Sequence, residues 1–177
     1  MPRVNSIRYG WRCDSCGELI SELQAGWVEW IAAEDIKGKP KVSGLRLVHS
    51  RDASPRSQEL YGCQYSPRDE FRNNRGIVEG LPLARFAGPD GLMLLLSMIA
   101  ERELPLQELI ELAKRVQIPG YEAVHELVHD AVAGGLIAPT IGLGFYLQCE
   151  IWDVLNWAKS PNSVKDAEHQ NQCAVSH

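Results

Sequence analysis

The sequence predicts an α+β protein, with a β module over residues 1–85, a helical module over 86–160 and a polar, flexible tail over 161–177. Three observations carry that reading. Short runs with strand character, Gly26–Ile31 and Val42–His49, fall in the first part. After Gly88-Pro89, apolar residues recur at helical spacing. Composition changes over 82–90, leaving behind a stretch rich in Gly, Ser, Pro and Arg. At 177 residues and 45% hydrophobic, the chain fits one domain or two small modules and is too apolar for global disorder.

The elements follow in order. GWVEWI (Gly26–Ile31) and VSGLRLVH (Val42–His49) read as strands, with Lys37–Lys41 turning between them at Gly38 and Pro40. Leu45, Leu47 and His49 share one parity, and Arg46 and Val48 the other. Residues 50–85 carry Pro55, Pro67, Gly76, Gly80 and Pro82 and read as loop. Four helices are expected next. Asp90–Glu103 has Asp90 as N-cap and Leu92, Leu95, Leu96 and Ile99 on one face. Pro105–Val116 buries Leu106, Leu109, Ile110 and Ala113. Pro119–Ala133 closes at Gly134-Gly135, and Tyr146–Lys159 stops before Pro161. The first three have the loop spacing of a helix-turn-helix core leading into a wing, so a winged-helix-like module is expected. Its third helix offers Glu122, Glu126 and Asp130, where a DNA reader needs Arg, Lys, Asn or Gln.

Charge is unevenly distributed. The net is -3 over residues 1–36, +5 over 37–85 and -7 over 86–177. The middle segment, through Lys37, Lys39, Lys41, Arg46, Arg51, Arg56, Arg68, Arg72 and Arg75, suits nucleic acid or an acidic protein. The acidic helical half suits a protein partner or self-association. No apolar run is long enough to span a membrane, and MPRVNSIRYG has no signal core, so a cytoplasmic location is expected.

The five cysteines include Cys13-Asp14-Ser15-Cys16-Gly17. Two thiolates three positions apart can face one tetrahedral zinc, with Gly17 freeing the turn. A redox pair would need a helix after a βαβ strand, which the sequence lacks here. His49, ending a strand, and Cys63, in YGCQY, are the candidate partners. They complete a Cys3His set, so the β module is expected to be zinc-ribbon-like with a structural zinc. Cys149 reads as a core residue of the last helix, and Cys173 lies in the tail. Trp27 and Trp30 either pack in the small core, or one of them is left for stacking.

A second motif competes. His125-Glu126-Leu127-Val128-His129 matches HExxH, in which two histidines one turn apart ligate zinc and the glutamate activates water. Glu150 and Asp153 lie on the next predicted helix. This layout resembles thermolysin-like zincins. The resemblance implies zinc on His125, His129 and Glu150, Glu126 as base, and Asp153 orienting a histidine. It covers about 30 residues, and no edge strand for an extended substrate precedes it. The sequence therefore points first to a zinc-binding regulatory or adaptor protein acting through its basic segment. A small zinc peptidase is the alternative, and an adaptor that binds only protein is the third reading.

Overall fold

The computed structural model describes residues 10–34, 37–73, 75–101, 104–142 and 144–159. The chain divides into two compact units, one spanning Gly10–Gln117 and the other beginning at Ile118.

The first unit opens with a small hairpin. β1 (Trp11–Arg12) pairs antiparallel with β2 (Leu19–Ile20) and brackets the CxxC segment. A three-stranded antiparallel sheet follows, formed by β3 (Gly26–Glu34), β4 (Pro40–His49) and, later in the chain, β5 (Ile77–Pro82), in the order β4-β3-β5. The β3–β4 register slips midway: Glu29 faces Arg46 but Ile31 faces Ser43. Trp30 is thus opposed by both Gly44 and Leu45, and Gly44 absorbs the bulge at φ +68°. Helix α1 (Pro67–Arg72) precedes β5; the Ser66 side chain caps it by accepting from the Asp69 N–H.

Helices α2 (Gly88–Glu101) and α3 (Leu106–Gln117) complete this unit. Val28, Trp30 and Leu47 from the sheet share one core with Leu83, Phe86, Leu95, Leu104, Leu109 and Leu112. The sequence reading draws its boundary near 82–90, whereas the compact unit runs on through Gln117, because the apolar side of the sheet is buried by α2 and α3. The three helices expected as one winged-helix-like core are therefore divided between the units. Leu92 and Leu96 are exposed instead of sharing a face with Leu95. Within the apolar run LMLLLSMI, periodicity alone does not choose a face. Gly91 approaches the Phe86 backbone closely, and this brings Leu95 inward.

The second unit holds α4 (Tyr121–Val124), α5 (Val128–Ala133) and α6 (Gln148–Lys159). Tyr121, Val124, Val128, Ala131, Ile137, Ile151, Val154 and Leu155 form its core. The single helix expected over 119–133 is broken at His125–Leu127, where the Leu127 N–H bonds back only three residues, to the Val124 carbonyl. Tyr121, Val124, Val128 and Ala131 are still all buried, so the apolar spacing read from the sequence survives the break. On α6, Trp157 packs against the core and Trp152 is exposed. Among the described residues, no helix is long and apolar enough to cross a membrane.

Candidate metal centre

The β1–β2 hairpin makes a knuckle of the CxxC segment. The Cys13 N–H donates to the Glu18 carbonyl at 2.9 Å, and the Gly17 N–H donates to the Cys13 carbonyl at 2.9 Å. Gly17 sits at φ +76°, a conformation that glycine adopts without steric cost. Asp14 ties the knuckle to β4 twice, donating its N–H to the Leu47 carbonyl (2.8 Å) and accepting the Leu47 N–H on Oδ2 (2.7 Å). Two residues along β4 from Leu47, His49 therefore arrives beside the cysteines. The loop after β4 returns Cys63 to the same place, where it accepts a hydrogen bond from Ser54 Oγ at 3.1 Å.

Cys13, Cys16, His49 and Cys63 thus converge, with one ligand atom from each lying within 4.8 Å of the others. His49 Nδ1 is 3.5 Å from Cys16 Sγ and 3.8 Å from Cys63 Sγ. Tetrahedral zinc, with bonds of about 2.3 Å to sulfur and about 2.0 Å to nitrogen, sets that S···N separation near 3.5 Å. His49 Nε2 lies 3.3 Å from the Leu19 carbonyl. A carbonyl can only accept, so this contact puts the ring proton on Nε2 and turns the Nδ1 lone pair toward the thiols. Cys13, Cys63 and His49 are buried and Cys16 is half-buried.

The electrostatics suit a cation. Burial opposes ionisation of Cys13, but the backbone N–H groups of Cys16, His49 and Ser15 outweigh it and hold this thiol below its ordinary range. Burial, reinforced by Cys13 and Cys63, pushes the Cys16 thiol up to about 12. A divalent ion among three sulfurs removes that penalty and holds them as thiolates. The geometry is consistent with a structural zinc ion, since four protein ligands leave no position for water or substrate.

Further contacts brace the knuckle and the Cys63 loop. Arg115 of α3 donates to both Asp14 carboxylate oxygens (2.9 and 3.0 Å) and to the Arg12 carbonyl (2.6 Å). Trp11 Nε1 donates to the Arg115 carbonyl at 3.1 Å. Arg46 donates through Nε to Glu29 Oε1 (2.8 Å) and through Nη2 to the Cys63 carbonyl (3.2 Å). Its guanidinium also lies 3.4 Å above the Tyr65 ring. Burial raises the Glu29 carboxyl above its ordinary range despite the Arg46 partner. Nothing in the sequence marks Arg115 or the structural use of Arg46. Their partners are distant in the chain, and an arginine carries no mark of a buried role.

The other expected residues are less concentrated. Arg46 is partly buried in the cluster just described, and Arg75 pairs with Glu70 at 2.7 Å. Arg56 is exposed and donates to the Ser15 carbonyl. Lys37, Lys39, Lys41, Arg51, Arg68 and Arg72 are exposed. Trp30 is buried and Trp27 half-buried against the same core, which leaves neither as an open stacking platform.

Among the described residues, the Cys3His set is the one metal-binding group that assembles; His125, His129 and Glu150 form none. His125, in the break between α4 and α5, and His129, on α5, are both exposed. Glu150 is buried and occupied: Oε1 accepts from the Thr140 N–H (2.7 Å) and Thr140 Oγ1 (2.8 Å), and Oε2 accepts from the Leu147 N–H (2.7 Å). Burial works against the Glu150 anion, but these donors outweigh it and hold the carboxyl below its ordinary range. Asp153 is exposed on α6, Cys149 is half-buried, and Cys173 lies outside the described residues. Comparison with protein families, curated proteins and solved structures finds no match for this chain.

Proposed function

We propose that this chain is a zinc-stabilised binding module with a regulatory or adaptor role, in which Cys13, Cys16, His49 and Cys63 hold the metal and no chemistry occurs at it. The convergence of those four ligand atoms within 4.8 Å carries the reading. Closed coordination supports a structural metal rather than a catalytic one. The partner chemistry is anionic, either nucleic acid or an acidic protein surface. It is met by the exposed Lys37, Lys39, Lys41, Arg51, Arg56, Arg68 and Arg72. Arg46 and Arg75, engaged with Glu29 and Glu70, contribute little to that face.

Elemental analysis tests the metal assignment. Wild type and His125→Ala are expected to carry one zinc per chain, and Cys13→Ala none. A second zinc lost only in His125→Ala would instead favour the peptidase reading on His125, Glu126, His129 and Glu150. The anionic partner is tested by titrating DNA and RNA at several salt concentrations. Each exposed Arg or Lys removed from a true contact should reduce the log–log salt slope by about one. Absence of binding at low salt leaves the acidic-protein adaptor as the surviving form.

A further inference from the structure

One cavity of the first unit lies away from the metal centre and plays no part in the reading above. It measures about 210 Å³ and is lined by Trp30, Ala32 and Ala33 of β3, Pro40 and Val42 of β4, Glu79 of β5, Met98 and Glu101 of α2, and Leu104. Seven of the nine lining residues are apolar, although polar and apolar atoms share the wall surface about equally. The exceptions are two carboxylates, and both are exposed. Trp30 Nε1 donates to Glu79 Oε2 at 3.0 Å, which fixes that carboxylate at the mouth while its second oxygen remains able to accept. Glu101 lies in the final described turn of helix α2 (Gly88–Glu101), where the negative end of the helix dipole adds to its charge.

We infer that this cavity receives the side chain of a lysine from a partner protein. An unbranched four-carbon stem matches apolar walls of Trp30, Val42, Met98 and Leu104, and a terminal ammonium matches two anionic groups and a helix C-terminus. An acidic side chain would meet like charge, and a neutral polar one would leave the charge of the two carboxylates uncompensated. A purely aliphatic one would leave the carboxylates unused. Pro40 and Val42 line the cavity while Lys41, between them, does not, as strand alternation requires. The protein's own Lys41 is thus directed away from the site.

The full chain, loaded with zinc, is titrated with N-acetyl-lysine-methylamide while the Trp30 indole N–H resonance is followed by NMR. That resonance reports directly, because its acceptor is Glu79. Saturable shifts are expected, with the norleucine analogue at least about tenfold weaker because it keeps the stem and lacks the charge. Glu101→Gln and Glu79→Gln remove charge at exposed positions and preserve an acceptor for the indole, so both variants should fold and both should weaken capped lysine. Equal binding of capped lysine and norleucine, or no shift at all, overturns the proposal. So does binding of n-butylammonium with rejection of capped lysine, which would make this a free-amine site. DNA or RNA binding uses other residues, so its failure and the failure of this pocket are separate results.

Discussion

At the scale of single residues, the centre depends on which atoms are presented as well as on which residues are present. His49 offers Nδ1 because the Leu19 carbonyl occupies Nε2, and Cys63 is oriented by Ser54 Oγ. Groups that orient ligands in this way commonly change metal affinity by about 10–100-fold when removed. Ser54→Ala is therefore expected to weaken zinc by about tenfold, with the four ligands intact, and His49→Ala by more than that. Competition against a chromophoric chelator measures both, and unchanged affinity in Ser54→Ala would show that the hydroxyl contact is irrelevant to the metal. The four ligands were legible in the sequence because thiols and imidazoles are few and chemically distinctive. Ser54, Asp14 and Arg115 were not, since they act through contacts that only the folded chain brings together. In sequence Arg46 looks like one more surface cation, whereas it is held between Glu29, Tyr65 and the Cys63 carbonyl.

At the scale of elements, strand and helix periodicity located most segments, and the failures have physical causes. β5 reads as loop in sequence because Gly76 precedes it, Gly80 and Pro82 punctuate it, and its partner β3 lies far upstream. Residues 119–133 read as one continuous helix because nothing in their residue types demands the break at His125–Leu127. That break leaves His125 in the turn after α4 and His129 on α5, so the HExxH spacing in sequence does not supply a helical ligand pair. Glu150, read as a possible third ligand, instead closes the start of α6. Its carboxylate accepts the Leu147 N–H, one of the donors a helix N-terminus leaves unpaired, and ties in Thr140. Its folded pKa lies below the ordinary value, so its stabilisation is present above the unfolded carboxylate pKa and is lost as pH falls through the folded value. Glu150→Gln should cost about 1–2 kcal/mol locally and speed exchange of the Leu147 and Thr140 amides by about tenfold at neutral pH. The difference between variant and wild type should shrink on acidification below the ordinary carboxylate range. A pH-independent difference would show that charge contributes nothing there.

At the scale of the whole molecule, the decisive question is what folds with the metal. The sequence divides the chain near residue 85, but the core of the metal-bearing unit takes Leu95, Leu104, Leu109 and Leu112 from beyond that point. The knuckle is also held from α3, through the Arg115–Asp14 ion pair at 2.9 Å. A fragment of residues 1–85 would expose the apolar side of its sheet and lose that brace, so it should not bind zinc as a folded species. A fragment of residues 10–117 keeps the whole core and both sides of the brace. It should fold when zinc is present and lose its hydrogen-exchange protection when a chelator removes the metal, because binding free energy at such a site is folding free energy. The second unit has its own core, with no member in common with the first. In the intact chain, chelation should therefore collapse protection at Val28, Leu47 and Leu109 while sparing Val124, Ile151 and Leu155. If the 1–85 fragment folds with zinc, the sequence boundary is the correct one. If protection is lost equally at all six amides, the two units unfold as one and the metal stabilises the entire chain.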